Sequence, residues 1–394
     1  MEAPNPPWSN WSGCVRCTPA ALWEPRDEAE LVALVRRARD EGRTLRCVGS
    51  GHSQSPLVAT EGWVLALDAL QGLVDVDVGR CEATLRAGTK LHAAGTLLHA
   101  HGLAMENLGD VDVQALAGAV ATGTHGTGPT LGNLSSRVVG VRAVLADGGV
   151  ATWDEAEDPE ALRAARVSLG LLGIFTELRL RCVPAFRLHE KVARMPVERC
   201  LEELPARVAA TRHFEFFWYP GRDFAEVKTL EPTARAALDP PVRYERIGWS
   251  HEILPSVREQ RFVEMEYALP AEAGPACFAA LRERVRTRHP ELQWPIEYRT
   301  VAADDAWLSP AHGRATVTLS VHQDAQLPFR ELFADLEGIL QGHGGRPHWG
   351  KWHTLGGDAL RRLHPRFEDF AARRRELDPE GRFLNDHLRG IFEG

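Results

Sequence analysis

Between Asn107 and Asn133 the chain reads NLGDVDVQALAGAVATGTHGTGPTLGN, a stretch dominated by glycine, alanine and threonine. It offers few large apolar side chains to a core. Glycine here serves the backbone, permitting positive φ and close approach of main chain to a neighbour or ligand. A second run of the same character, GSGHSQS from Gly49 to Ser55, follows directly on the strand-like LRCV. Successive exposed N–H groups in such turns form a concavity suited to anions. Neither run fits the dinucleotide fingerprint G-x-G-x-x-G or the phosphate loop ending in Gly-Lys-Ser/Thr. A diphosphate ligand is compatible with these loops, on a scaffold that is neither Rossmann nor kinase-like. Each run also carries a histidine beside a glycine, His52 and His125. Two such runs in one chain are more than tight turns require.

The flanking segments mix helix and strand. In EPRDEAELVALVRRARDEGRTLRCVG acids crowd the first turn, and Leu31, Val32, Leu34 and Val35 recur at helical spacing. A helix is expected from about Lys90, a strand pair around the turn ADGG, and a return to strand in LGLLGIFTELRLRCV. After Pro184 the character changes. HFEFFWYP and RFVEMEYALP are aromatic and alternating, AEAGPACFAALRERVRTRHP is an amphipathic helix, and WPIEYRTVAADDAWLSP and ATVTLSVHQD read as strands. This predicts a second α+β unit on an antiparallel sheet. The tail from about His364 reads as a helix and a terminal turn. At 394 residues the chain has length for two cores.

Composition excludes several classes. With 44% hydrophobic and 25% charged residues the chain is an ordinary globular protein. A formal charge of −8 argues against a general nucleic-acid binder. No apolar run approaches the roughly 20 residues of a membrane span, and the N-terminus MEAPNPPWSNWSG lacks a secretory signal's basic start and apolar core. A cytoplasmic monomer is expected. Most of the seven cysteines lie in strand-like contexts and read as buried small hydrophobes. Cys14 and Cys17 form one CxxC, but no second ligand pair accompanies it, so no metal is expected.

A second group of residues has chemical character. IEYR puts Glu297 and Arg299 two apart, hence on one side of a strand. TLSVHQD supplies His322 on another strand, and RPHWGKWH supplies Lys351 between two aromatics. A glutamate, two cations and a histidine converging on one site would suit a polyhydroxylated substrate.

VGSGHSQSP, LAGAVATGTHGTG, EYRTVAADDAWLSP and RPHWGKWH, in this order and at this spacing, resemble the sugar-1,4-lactone oxidases and the alditol oxidases. Both belong to the vanillyl-alcohol-oxidase-like flavoenzymes. The resemblance runs from NWSG at Asn10 to FLNDHL at Phe383. It implies an α+β fold: a two-lobed FAD-binding domain over residues 1–184, a substrate-binding cap domain with an antiparallel sheet over 185–363, and a segment, 364–394, returning to the FAD domain because HWGKWH must reach the flavin. In relatives with this Gly-His-Ser arrangement the histidine is bonded to the 8α-methyl carbon of the flavin, so the resemblance assigns covalent attachment to His52. The electron-poor ring makes that carbon electrophilic, and an imidazole of ordinary pKa, about 6.5, is largely neutral and nucleophilic at pH 7.

By the same resemblance the cofactor contacts are Gly49, Ser50, Gly51, Ser53, Gln54 and Ser55 in the first loop. In the second they are Gly118, Ala119, Thr122, Gly123, Thr124, His125 and Gly126, followed by Gly173 and Ile174 near the adenine half. Arg299 and Lys351 would stabilise the anionic reduced ring, with Lys351 also assisting the reaction with oxygen. Glu297 would bind the substrate hydroxyl, and His322 would be its general base. His348 and His353 flank Lys351 and touch either substrate or core. The implied activity is hydride transfer from an L-gulono-1,4-lactone-like substrate to FAD, with O2 reoxidising the flavin to give H2O2. FEFFWYP, KWHT and FLNDHL are lactone-oxidase-like, whereas EYRTVAADDAWLSP and VATGTHGTG are equally similar to alditol oxidase. Gly221-Arg222 and Ala115 depart from the lactone pattern. Oxidation of a xylitol- or sorbitol-like polyol, and a lactone dehydrogenase using another acceptor, remain alternatives.

Overall fold

In the computed structural model, which describes residues 2–4, 7–256 and 259–394, three large sheets carry the chain. In the first, Ala21–Trp23, Trp63–Ala66 and Leu45–Val48 pair in parallel, and Glu2–Pro4 joins one edge antiparallel. The crossover is the helix Glu28–Asp40. Asp27 caps it by accepting from the Glu30 N–H, and Leu31, Val35 and Ala38 bury its inner stripe. The second sheet is antiparallel, ordered Val150–Asp154, Val138–Val144, Ile174–Arg181, Glu82–Arg86 and Leu73–Asp77. Part of the glycine-rich stretch departs from the expected loop: Leu116–Thr122 is a helix ended by Gly123 at φ 77. The glycine in LAGAVAT masks a short run of good helix formers whose Leu116, Ala119 and Val120 are buried.

The third sheet has eight antiparallel strands, with His213–Tyr219, Ile296–Val301, Thr316–Asp324 and Phe262–Pro270 adjacent at its centre. Their alternation sorts two faces. Phe214, Phe216, Trp218, Tyr298, Leu319, Val321, Met265 and Tyr267 share one core with Phe278 and Phe333 from the covering helices. The intervening residues point the other way, and the register sets Glu215 opposite Arg299, Phe217 opposite Glu297 and Glu264 opposite His322. A polar face on a central strand is sustained only if something polar covers it. WPIEYRTVAADDAWLSP is not strand throughout. The strand ends at Val301, and Asp304 turns the chain by accepting from the Ser309 hydroxyl at 2.6 Å and the Ala306 N–H at 3.0 Å.

The tail forms the helices Gly357–Leu363, Phe367–Leu377 and Asp386–Phe392 rather than one helix and a turn. Leu384, Leu388, Ile391 and Phe392 pack in the same core as Leu31, Val35 and Leu45. The Asn385 amide donates to the Pro56 and Ala59 carbonyls, both at 2.8 Å, and the Leu45 N–H donates to the Arg382 carbonyl at 2.7 Å. The tail thus buttresses the segments on either side of the Gly49–Ser55 loop. Among the described residues no helix is long and apolar enough to cross a membrane, and all seven cysteines are free thiols.

Candidate active site

The loop after Val48 is held from both sides. The Trp11 N–H donates to the Gly51 carbonyl at 2.8 Å, and the Asn10 amide donates to the Ser53 carbonyl at 2.9 Å. From the other side the Gln54 N–H donates to the Gly350 carbonyl at 2.7 Å, and the Ser55 hydroxyl donates to the Trp349 carbonyl. Gly51 sits at φ 67, which favours glycine. Among the described residues the backbone N–H groups of Ser50, Gly51, His52 and Ser53 meet no acceptor. These four residues line a channel together with Gly49, Ser55, Gly118, Ala119, Thr122, Gly173 and Ile174, with no carboxylate in its wall. A Cβ on Gly118 would meet no protein atom, whereas one on Gly49 would lie 2.6 Å from Ala115 Cβ, because the two loops close on each other there. Gly123 and Gly126 line neither this channel nor the cavity beyond it. A Cβ on Gly126 would come within 2.3 Å of the Leu108 carbonyl, so its small size serves packing.

His52, Ser53 and Thr122 belong both to this channel and to a cavity of about 410 Å³ above the polar face of the eight-stranded sheet. Burial first, then Lys351 and Lys90, push the His52 imidazole down to about 4, so it is neutral at pH 7. The cavity brings together Glu297, Arg299, His322 and Lys351, with Gln54, Thr124 and His125 also in its wall. His348 lines it too; His353 does not.

Three charge groups make up the polar face. Arg299 reaches Glu297 at 2.6 Å, Glu215 at 2.9 Å and Asp110 at 3.1 Å, and Lys228 reaches Glu215 at 3.0 Å. Burial pushes the Glu297 carboxyl well above its ordinary range; Arg299 opposes this, and Glu215 and Asp110 add to it. Arg299 remains charged, and Glu297 is the carboxyl in this group that burial drives toward its neutral form. In the second group Lys351 pairs with Glu264, whose other oxygen lies 3.7 Å from His322 Nε2. Burial would lower the Lys351 ammonium, but Glu264 outweighs it and keeps it charged. In the third, His125 faces the Gly126 carbonyl through Nδ1 at 2.8 Å and Glu266 through Nε2 at 2.7 Å. Burial would raise the Glu266 carboxyl; His125 holds it well below the usual range.

Asp110, Glu215, Lys228, Glu264 and Glu266 escaped the sequence reading. The signal was present in HFEFFWY and RFVEMEY, where acids interrupt otherwise apolar strands at period two. Two triads, Glu264–Glu297–His322 and Asp110–Glu215–Glu297, approach metal-ligand spacing. Arg299, Lys228 and Lys351 already neutralise them.

Such a site, with fixed cations, a neutral carboxyl and a histidine beside a channel of free N–H donors, can orient hydroxyl groups and hold charge developed next to a cofactor. Residues 178–245 and 233–391 match the family model described as D-arabinono-1,4-lactone oxidase. The chain belongs to that family. Residues 19–154 match the model described as FAD binding domain. Within the family's range of relatives, the chain is 37% identical to the L-gulono-1,4-lactone dehydrogenase of Mycobacterium tuberculosis, over 98% of this chain and 99% of the relative. It is 34% identical to the alditol oxidase of a Streptomyces species over the same shares. Its fold superposes on the cholesterol oxidase of B. sterolicum with a TM-score of 0.88, covering 100% of this chain and 97% of the other at 18% identity. The cofactor of this lactone oxidase family member is FAD. The carboxylate-free wall, which includes Arg46, and the glycine-rich loop of the channel fit a diphosphate, and the small residues leave the backbone accessible to it.

Proposed function

We propose that the protein oxidises a hydroxyl-bearing carbon of a sugar-1,4-lactone resembling L-gulono-1,4-lactone, with FAD attached covalently through His52 and O2 reduced to H2O2. The observation that carries this reading is the convergence of Glu297, Arg299, His322 and Lys351 on one cavity that opens onto the channel at His52. When bound, FAD accepts the hydride from carbon. The chain supplies the rest. A carbonyl can only accept, so His322 donates from Nδ1 to Pro295 at 2.9 Å and carries its lone pair on Nε2. Nε2 takes the hydroxyl proton, and the Glu264 carboxylate stabilises the imidazolium formed. Arg299 and Lys351 hold positive charge where negative charge accumulates, without reorganising.

Glu297, being protonated, donates a hydrogen bond to the substrate. Glu297→Gln keeps a donor of the same shape and is expected to retain most of the wild-type kcat/KM. Glu297→Ala is expected to lose about tenfold or more, the scale of a lost hydrogen bond in a shielded site. Steady-state rates with one lactone compare them; a Gln variant as impaired as the Ala variant would mean that Glu297 works as a carboxylate.

We also assign residues 1–184 and 364–394 to FAD and 185–363 to the cap. Ending the chain after Pro365 removes the Asn385 contacts to Pro56 and Ala59 and the Arg46 bond to the Phe383 carbonyl, which flank the flavin loop, and the shortened protein is expected to purify without FAD. Full flavin content with unchanged melting would refute this division.

Purified protein incubated with aldonolactones and alditols, under air with peroxide detection and under argon with an artificial electron acceptor, tests the activity. Peroxide formed from lactones is the expected result. The dehydrogenase at 37% identity supports a second reading, oxidation of the lactone with an acceptor other than oxygen; turnover only under argon would establish it. Turnover of alditols alone would replace the lactone by an open-chain polyol.

A further inference from the structure

The segment NWSG, which opens the family resemblance, has no part in the chemistry above. Its placement assigns it one. Asn10 and Trp11 bracket the backbone on either side of His52, through Ser53 and Gly51. The Trp11 ring lies on the His52 ring, with centroids 5.1 Å apart and planes 26° from parallel. Trp11 is itself set by Phe262, edge-on at 5.2 Å. Among the described residues no hydrogen bond to either ring nitrogen of His52 is found. The ring contact that bears on the imidazole plane is the stacked Trp11 face, and His52 lines both the channel and the cavity. A hydrogen-bonding partner would have fixed the ring equally well, but would have occupied one nitrogen or set its tautomer.

We propose that Trp11 is a positioning residue for flavin attachment: by stacking on His52 it holds the imidazole plane for bond formation while leaving its nitrogens unencumbered. This rests on the reading that His52 bears the flavin. In the attachment a C–N bond replaces one C–H bond of the flavin methyl group and the N–H bond of the imidazole. The two hydrogens and their electron pair pass to dioxygen, which is reduced to hydrogen peroxide. Stacked ring pairs contribute enough to change an attachment rate by about three- to tenfold.

The test compares wild type, Trp11→Phe, Trp11→Leu and His52→Ala, each purified with its flavin. The readout is the ratio of FAD retained in acid-precipitated protein to total protein-bound FAD, in protein harvested at successive times after expression is induced, so that a variant binding less cofactor is still scored. Trp11→Phe keeps an aromatic face and is expected to attach flavin nearly as fast as wild type. Trp11→Leu keeps bulk without the face, and is expected to bind FAD but attach it three- to tenfold more slowly. Attachment by the Leu variant at the wild-type rate overturns the proposal. So does equal slowing in both variants, or loss of FAD binding in the Phe variant, since Trp11 would then serve the fold of the loop. Wild-type protein that releases all its flavin to the acid supernatant refutes attachment at His52 instead.

Discussion

His322→Ala is expected to slow flavin reduction by lactone about 100- to 10,000-fold, the range for loss of a positioned general base, while leaving reoxidation almost unchanged. The asymmetry follows from geometry. In the proposed mechanism His322 would meet the substrate hydroxyl through Nε2, with its tautomer set by the Pro295 carbonyl and its charged form stabilised by Glu264. That proton moves only in the reductive half. Anaerobic stopped-flow mixing with an aldonolactone reads the first half, and mixing reduced enzyme with oxygen reads the second. Reduction at the wild-type rate in His322→Ala would remove His322 from the chemistry and make Glu264, the nearest ionised carboxylate, the candidate base. A His322→Ala protein slowed equally in both halves would point to a general distortion of the cavity.

Arg299→Met carries the other large effect, and it falls on stability as well as rate. Arg299 is 7% exposed and faces three carboxyl groups, Glu297, Glu215 and Asp110, of which burial drives Glu297 toward its neutral form. Removing one partner of a buried ion pair leaves uncompensated charge and costs roughly 3–5 kcal/mol, which lowers the melting temperature by on the order of 10 °C. Catalysis loses a preorganised charge, on the order of 100- to 1000-fold in kcat. A second substitution separates the two effects. Glu215→Gln in the Arg299→Met background removes the stranded negative charge, so melting recovers while the rate does not. Recovery of both would show that Arg299 acts only by holding the fold. Arg299→Met that melts like wild type would mean that the surrounding carboxylates take up protons at no cost, contrary to their burial.

What the chain's own order of residues determined is local. Acids in the first turn and the spacing of Leu31, Val35 and Ala38 specify the helix after Asp27. Period-two alternation puts Glu297 and Arg299 on one side of their strand. The glycine-rich loops announce close backbone approach, and four motifs in order point to the family. Besides the tail, two local readings went astray where tertiary context prevailed. Leu116–Thr122 is helical because its apolar side chains find a core, and the strand in EYRTVAADDAWLSP stops where Asp304 finds Ser309 and Asn133.

The electrostatics of the site were decided by the tertiary structure. Glu264 meets Lys351 across 87 residues, Glu215 meets Arg299 across 84, and His125 meets Glu266 across 141. Strand register and the docking of one lobe on another bring these partners together, and neither is encoded in any short window. Burial then sets their charges. The same glutamate side chain is pushed toward its neutral form at position 297, by burial and neighbouring carboxylates, and toward its ionised form at position 266, where a histidine outweighs burial. A carboxyl's proton affinity depends on the solvent it has lost and the charges it faces, and a residue meets both only once the chain has folded.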